Sequence, residues 1–240
     1  MSLFGALLAT GILLLLPSAG VEPHGVNVKV RVELTAPDLL GESKLSATIP
    51  VVLWLSPMGR SAGLPQQAVT PGHYRIEQKQ KKFNPHLLVV PVGSTVEFPN
   101  LDPFFHNVFS QFNGKRFDLG LYEAGSTKSV RFDHEGASYL FCNIHSQMGA
   151  VIVTLATPYF VVANGDGMVE LHNVPSGDYT LHVWAEGVDP SQLAKLARVV
   201  RVPSSDSDAG LVRVPASVLA QTHKNKFGED YPPEHDSSYP

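Results

Sequence analysis

The sequence predicts an all-β protein built from Greek-key β-sandwiches, and three observations carry that expectation. Its 240 residues include 20 Gly and 19 Pro, a density of turn formers that suits many short strands. Long runs of strong helix formers are few. β-Branched and other apolar residues recur instead in short alternating or continuous runs, separated by those glycines and prolines, which is the pattern of paired strands.

With 43% hydrophobic residues, the chain can bury one large core or two smaller ones. A formal charge of −4 and a pI near 6.2 give no electrostatic footprint for nucleic acid, and none is expected as a partner. The single cysteine excludes an intramolecular disulfide and zinc sites built on cysteine pairs.

Taken in order, the chain opens with an apolar run, Phe4 to Leu16, of the length of a signal-peptide core. It is shorter than the roughly 20 apolar residues that span a bilayer. Ser18, Ala19 and Gly20 follow as small residues suited to cleavage. Residues 1–20 are therefore expected to be a signal peptide and the protein to be periplasmic. No Lys or Arg precedes the run, so an N-terminal membrane anchor is the alternative, and membrane association is expected only if the segment is retained.

Val26, Val28, Val30, Val32 and Leu34 alternate with Asn27, Lys29, Arg31 and Glu33, which predicts a half-buried strand. Val51-Val52-Leu53-Trp54-Leu55 is continuous and predicts a more central one. Ser56 to Gly72, rich in Pro and Gly, reads as a linker with a domain boundary. A second series follows: Tyr74 to Gln78, Leu87 to Pro91, Ser94 to Phe98, Phe105 to Ser110, Thr127 to Phe132, Ser138 to Cys142 and Ala150 to Leu155. About seven or eight strands over roughly eighty residues is the content of one Greek-key sandwich. Beyond Pro158 the pattern restarts with Tyr159 to Val162, Val169 to Val174, Tyr179 to Trp184, Arg198 to Val202 and Leu211 to Val214. The polar tail, residues 219–240, is expected to be poorly ordered.

Chemistry concentrates in Cys142-Asn143-Ile144-His145-Ser146-Gln147-Met148. A thiolate, an imidazole and a thioether on one short loop are soft donors that favour copper. A His₂Cys plane needs one more imidazole, and His106 in Phe105-His106-Asn107-Val108 is placed to supply it. In an exported protein a lone thiol is prone to oxidation unless buried or metal-bound.

These stretches, with Val92-Gly93-Ser94-Thr95-Val96-Glu97-Phe98 before Asn100, resemble the cupredoxins over roughly residues 73–156. The short interval from His145 to Met148 is similar to that of amicyanin and shorter than that of plastocyanin. The resemblance implies a Greek-key sandwich holding one type 1 copper, with His106, Cys142 and His145 as equatorial ligands and Met148 axial. It also implies that Asn107 ties the two ligand segments together, and that Pro103 and Ile144 help form an apolar patch for a partner. His24, His73, His86, His134, His172 and His182 are expected to be ordinary polar residues, and Lys79, Lys81 and Lys82 a solvated basic edge.

The signature from Tyr159 to Trp184 resembles carboxypeptidase-regulatory-like or transthyretin-like sandwiches, in which two strands like Val26–Leu34 and Val51–Leu55 come first. The expectation is a cupredoxin unit, residues 73–156, inserted into a discontinuous sandwich of residues 21–60 plus 157–218. The alternative is a cupredoxin followed by a small separate sandwich.

The expected function is single-electron transfer through Cu(I)/Cu(II) with a transient redox partner, such as a periplasmic dehydrogenase or cytochrome. A copper-storage or binding module with a docking role is the alternative. Copper enzymes need further copper sites, and this chain has no His-x-His pair and carries Phe141 and Asn143 beside its cysteine. It is therefore not expected to be an enzyme.

Overall fold

The computed structural model describes residues 25–35, 49–59, 69–111, 114–215 and 224–231. The expected signal peptide, the middle of the linker, and His24 lie outside them. No helix among the described residues is long and apolar enough to cross a membrane.

The protein is all-β. Two strands come first, β1 (Val26–Thr35) and β2 (Pro50–Pro57). The middle of the chain supplies β3 (His73–Arg75), β4 (Glu77–Lys79), β5 (Lys82–Asn84), β6 (Leu87–Pro91) and β7 (Ser94–Pro99). It continues with β8 (His106–Ser110), β9 (Phe117–Tyr122), β10 (Thr127–Phe132), β11 (Gly136–Phe141) and β12 (Gly149–Leu155). The last five are β13 (Phe160–Asn164), β14 (Gly167–Val174), β15 (Gly177–Ala185), β16 (Arg198–Val202) and β17 (Ser207–Pro215).

Pairing groups them into sheets ordered β14-β1-β17, β13-β2-β15-β16, β6-β12-β11-β8-β9 and β10-β7-β3, with β4 and β5 as a separate hairpin. Thus β1 lies between β14, antiparallel, and β17, parallel. β2 lies antiparallel between β13 and β15.

Burial shows how the sheets stack. In β1 only the valine face is buried, while Lys29 and Arg31 face water, so its sheet is an outer layer. β2 is buried on both faces, which is why its sequence is continuously apolar. Across β2 and β15, Val52, Trp54, His182 and Trp184 share one face. On that face Trp184 donates from Nε1 to the Tyr139 hydroxyl of β11 (3.3 Å). The other face, with Leu53 and Leu55, therefore meets the valines of β1 in one core.

β12 is also covered on both sides. Val151, Val153 and Leu155 join the core of the flanking strands, and Ala150 and Ile152 join a second core with Val96, Phe98, Phe132, Leu140, Cys142 and Met148. The β11–β12 sheet is thus a common wall between the two cores. His86 adds a polar tie across this region, with Nε2 against Glu186 (2.8 Å) and Nδ1 against the Gly149 carbonyl (3.0 Å).

Several local features differ from the sequence reading, among them β5 and β9, which were not expected as strands. The strand expected over Tyr74–Gln78 breaks at Ile76, which is buried in the second core and whose N–H donates to the Glu97 carbonyl (2.9 Å). A one-turn helix, α1 (Pro190–Ala194), follows Asp189, whose carboxylate caps the Ser191 N–H. Asp followed by Pro is a helix-start signal. Finally, residues 224–231, inside the stretch expected to be poorly ordered, pack on the end of the second core's sheet.

Candidate metal centre

Strand ends position the three strongest donors. His106 opens β8, opposite Tyr122 of β9. Cys142 follows the last residue of β11, continuing the inward face of Ser138 and Leu140, and is fully buried. The loop beyond it is tight: the Cys142 N–H donates to the Met148 carbonyl (3.2 Å), and the Met148 N–H to that of His145 (3.1 Å). This closure carries His145 back over Cys142 and sends the Met148 side chain, also fully buried, into the same core.

The result is a convergent donor set. Cys142 Sγ lies 3.8 Å from His106 Nδ1 and 3.6 Å from His145 Nδ1, and the three atoms are within 4.8 Å of one another. The Phe104 ring packs on both imidazoles, 5.2 Å from His106 and 5.5 Å from His145 between centroids. An ion about 2.3 Å from a thiolate and about 2.0 Å from each imidazole nitrogen, at trigonal angles, sets sulfur and nitrogen about 3.7 Å apart and the two nitrogens about 3.5 Å apart. The two sulfur–nitrogen separations, 3.8 and 3.6 Å, fit a bound ion, which would draw the imidazole nitrogens together within their 4.8 Å limit, and the soft donors suit copper.

Reasoning from sequence missed a further participant. Asp102, nearly buried, accepts from His106 Nε2 (2.8 Å) and from the main-chain N–H groups of Gln80 (2.6 Å) and Lys81 (2.9 Å). That contact fixes the imidazole with its proton on Nε2 and leaves Nδ1 as a lone pair facing the sulfur. The only sequence hint was an acid four residues before the histidine. The Asp102 bonds also join the β4–β5 turn to the site, placing Lys81 Nζ 5.9 Å over the Phe104 ring, while Lys79, Lys81 and Lys82 remain exposed, as expected of a solvated edge.

Asn107 lies beside the centre. Its side-chain Nδ2 donates to Asp118 Oδ1 on β9 (2.7 Å). Its main-chain N–H, with those of Ile144 and His145, is directed at the Cys142 sulfur.

Burial pushes the Cys142 thiol up, with those three N–H groups partly opposing it. Burial lowers His106 despite its bond to Asp102, which raises it. Burial, then the charge of His106, takes His145 down to about 4. Burial raises Asp102, but its bonds to His106, Lys81 and Gln80 outweigh that and hold it below the usual carboxylate range. At neutral pH the metal-free site is therefore one thiol, two neutral imidazoles and one carboxylate. Taking up a soft cation as thiolate ligand releases a proton.

These values give a pH dependence. Between about 6.5, the free imidazole value, and about 4, the unfolded chain binds more protons than the native one, so stability falls as the solution is acidified. Thermal melts of the metal-free protein are expected to show a melting temperature that drops from pH 7 to pH 4. His145→Gln should flatten that drop, and an equally steep drop in the variant would refute the assignment.

No family model matches the chain, and no curated protein sequence matches it. Among solved structures it is similar to a purple cupredoxin from Nitrosopumilus maritimus, at 23% identity over 34% of this chain and 99% of that one, with a TM-score of 0.31. It is also similar to a mutant of amicyanin in the Cu(I) form, at 19% identity over 35% of this chain and 82% of that one, TM-score 0.31. A Cu-containing nitrite reductase from Thermus scotoductus shares 23% identity over 42% of this chain and 25% of that one, TM-score 0.34.

Proposed function

We propose that this is an exported type 1 copper protein that carries single electrons between periplasmic redox partners. One observation carries the proposal: a fully buried thiol with the Nδ1 atoms of His106 and His145 converging on it, all three donors within 4.8 Å. Copper, when bound, supplies the one-electron chemistry that no side chain here provides. The protein's part is to hold its ligands still. Three donors are fixed by strand ends and the loop closure, with Met148 as the fourth ligand, so both oxidation states meet nearly one geometry.

The surroundings suit a transient partner. His145 is half-buried, and Leu101, Pro103, Phe105 and Ile144 are exposed on the two ligand-bearing segments. An apolar rim of this kind fits a small, short-lived interface. The pairing of β1 with β14 and β17, and of β2 with β13 and β15, supports reading residues 21–60 and 157–218 as one discontinuous sandwich that carries residues 73–156 and docks them.

Adding Cu(II) to the purified protein is expected to give intense visible absorption from thiolate-to-copper charge transfer, saturating at one equivalent. Cys142→Ser should abolish it. A colourless adduct, or colour that survives the substitution, would sink the proposal. Reversible voltammetry then separates a carrier from a storage module.

A further inference from the structure

We propose that the C-terminal segment, residues 224–231, belongs to the frame of the metal centre, with Tyr231 and Lys226 as positioning residues for the Cys142–His145 loop. The inference rests on the copper reading above, but its geometry stands without a metal.

The segment touches both ligand-bearing parts of the fold. The Tyr231 hydroxyl donates to the Cys142 carbonyl (2.6 Å). The Lys226 N–H donates to Asn143 Oδ1 (2.9 Å), and the Lys226 carbonyl accepts from Gln111 Nε2 just past β8 (2.7 Å). Lys226 Nζ reaches Asp118 Oδ2 (2.8 Å), while the other oxygen of that carboxylate holds Asn107, the neighbour of His106. A continuous chain of polar contacts thus runs from Cys142–Asn143 through Lys226 and Asp118 to Asn107.

Two further points make this more than a resting tail. The Cys142 N–H is already held by the Met148 carbonyl, so Tyr231, by holding the Cys142 carbonyl, restrains the next peptide unit, and the two together fix the Cα between them and the direction of the Cα–Cβ bond that aims the sulfur. The segment also arrives with a defined shape. Asn225 Oδ1 accepts from the N–H groups of Phe227 (2.9 Å) and Glu229 (3.0 Å), and the Asn225 N–H donates to the Glu229 carbonyl (2.9 Å). This turn sets the spacing between Lys226 and Tyr231.

None of its residues joins either apolar core, and Phe227 is 71% exposed. The contacts described above that tie the strap to the sandwich are polar and must offset the entropy of ordering it, which places it at the low-stability end of the fold. The Lys226–Asp118 pair is also weakened by salt. The strap can therefore be removed without unfolding the sandwich.

Three changes test this: Tyr231→Phe, Lys226→Met, and deletion of residues 224–240, with Val199→Ala, 63% exposed on β16, as the control. In the metal-free protein, the rate at which Cys142 reacts with dithionitrobenzoate should rise about tenfold in Tyr231→Phe, the scale of one lost hydrogen bond. It should rise further in the deletion, and rise with added salt in the wild type. In the copper-loaded protein, the charge-transfer band and the midpoint potential should shift in Tyr231→Phe and Lys226→Met and stay fixed in Val199→Ala. Unchanged thiol rates together with an unchanged band and potential would overturn the proposal. A wild-type protein with no charge-transfer band, whose thiol rate still depends on residues 224–231, would refute the copper reading and leave the strap standing.

Discussion

Asp102→Ala is expected to cost the metal-free protein about 2–4 kcal/mol and to weaken copper binding by about 10–100-fold. The stability loss comes from stranded donors. Asp102 accepts from His106 Nε2, Gln80 N–H and Lys81 N–H. The two amides lie in an exposed turn and can turn to water, but the imidazole is fully buried and leaves an unpaired N–H. The affinity loss comes from a ring freed to rotate and to take the other tautomer. Asp102→Asn separates the two effects: its one oxygen can keep the imidazole bond, so most stability survives, while the lost negative charge should raise the copper potential by favouring the reduced state. Denaturation of the metal-free variants, chelator competition and voltammetry measure the three quantities. An alanine variant within about 0.5 kcal/mol of wild type would remove Asp102 from the site's framework.

Much of this was legible in the sequence, and what was not has physical causes. The alternation of Val26–Leu34 and the unbroken run of Val51–Leu55 follow from one covered face in the first case and two in the second. The ligand loop was legible because donors three residues apart on a short loop cannot avoid one another. β9 was not, because it is an edge strand: Asp118 and Gly120 interrupt it, and Leu121 is 57% exposed. Asp102 was hidden because an acid four residues before a histidine is common, and only the folded β4–β5 turn, some twenty residues earlier in the chain, fixes its carboxylate against His106. The strap was hidden because polar composition is the same whether a tail is solvated or hydrogen-bonded to a loop brought near by folding.

The second large effect is expected far from the copper ligands. Leu53→Ala should cost about 2–5 kcal/mol, the range for truncating a buried leucine, and lower the melting temperature by roughly 5–15 °C for a chain of this size. Leu53 is fully buried in β2, between Val161 and Val183 of the neighbouring strands. A cavity there has strands on both sides and little room to collapse. The loss should reach the metal centre, because the flanking strands pack on Val151 and Val153, while Ala150 and Ile152 of the same strand line the core under Cys142 and Met148. Losing the flanking strands would bare one face of that sheet to water. The charge-transfer band and far-ultraviolet circular dichroism should therefore disappear in one transition, shifted down together in Leu53→Ala. Val199→Ala, at a position 63% exposed on β16, should move neither by more than about 0.5 kcal/mol. If the band outlasts the main unfolding step, the common wall does not couple the cores, and residues 73–156 stand as an independent folding unit.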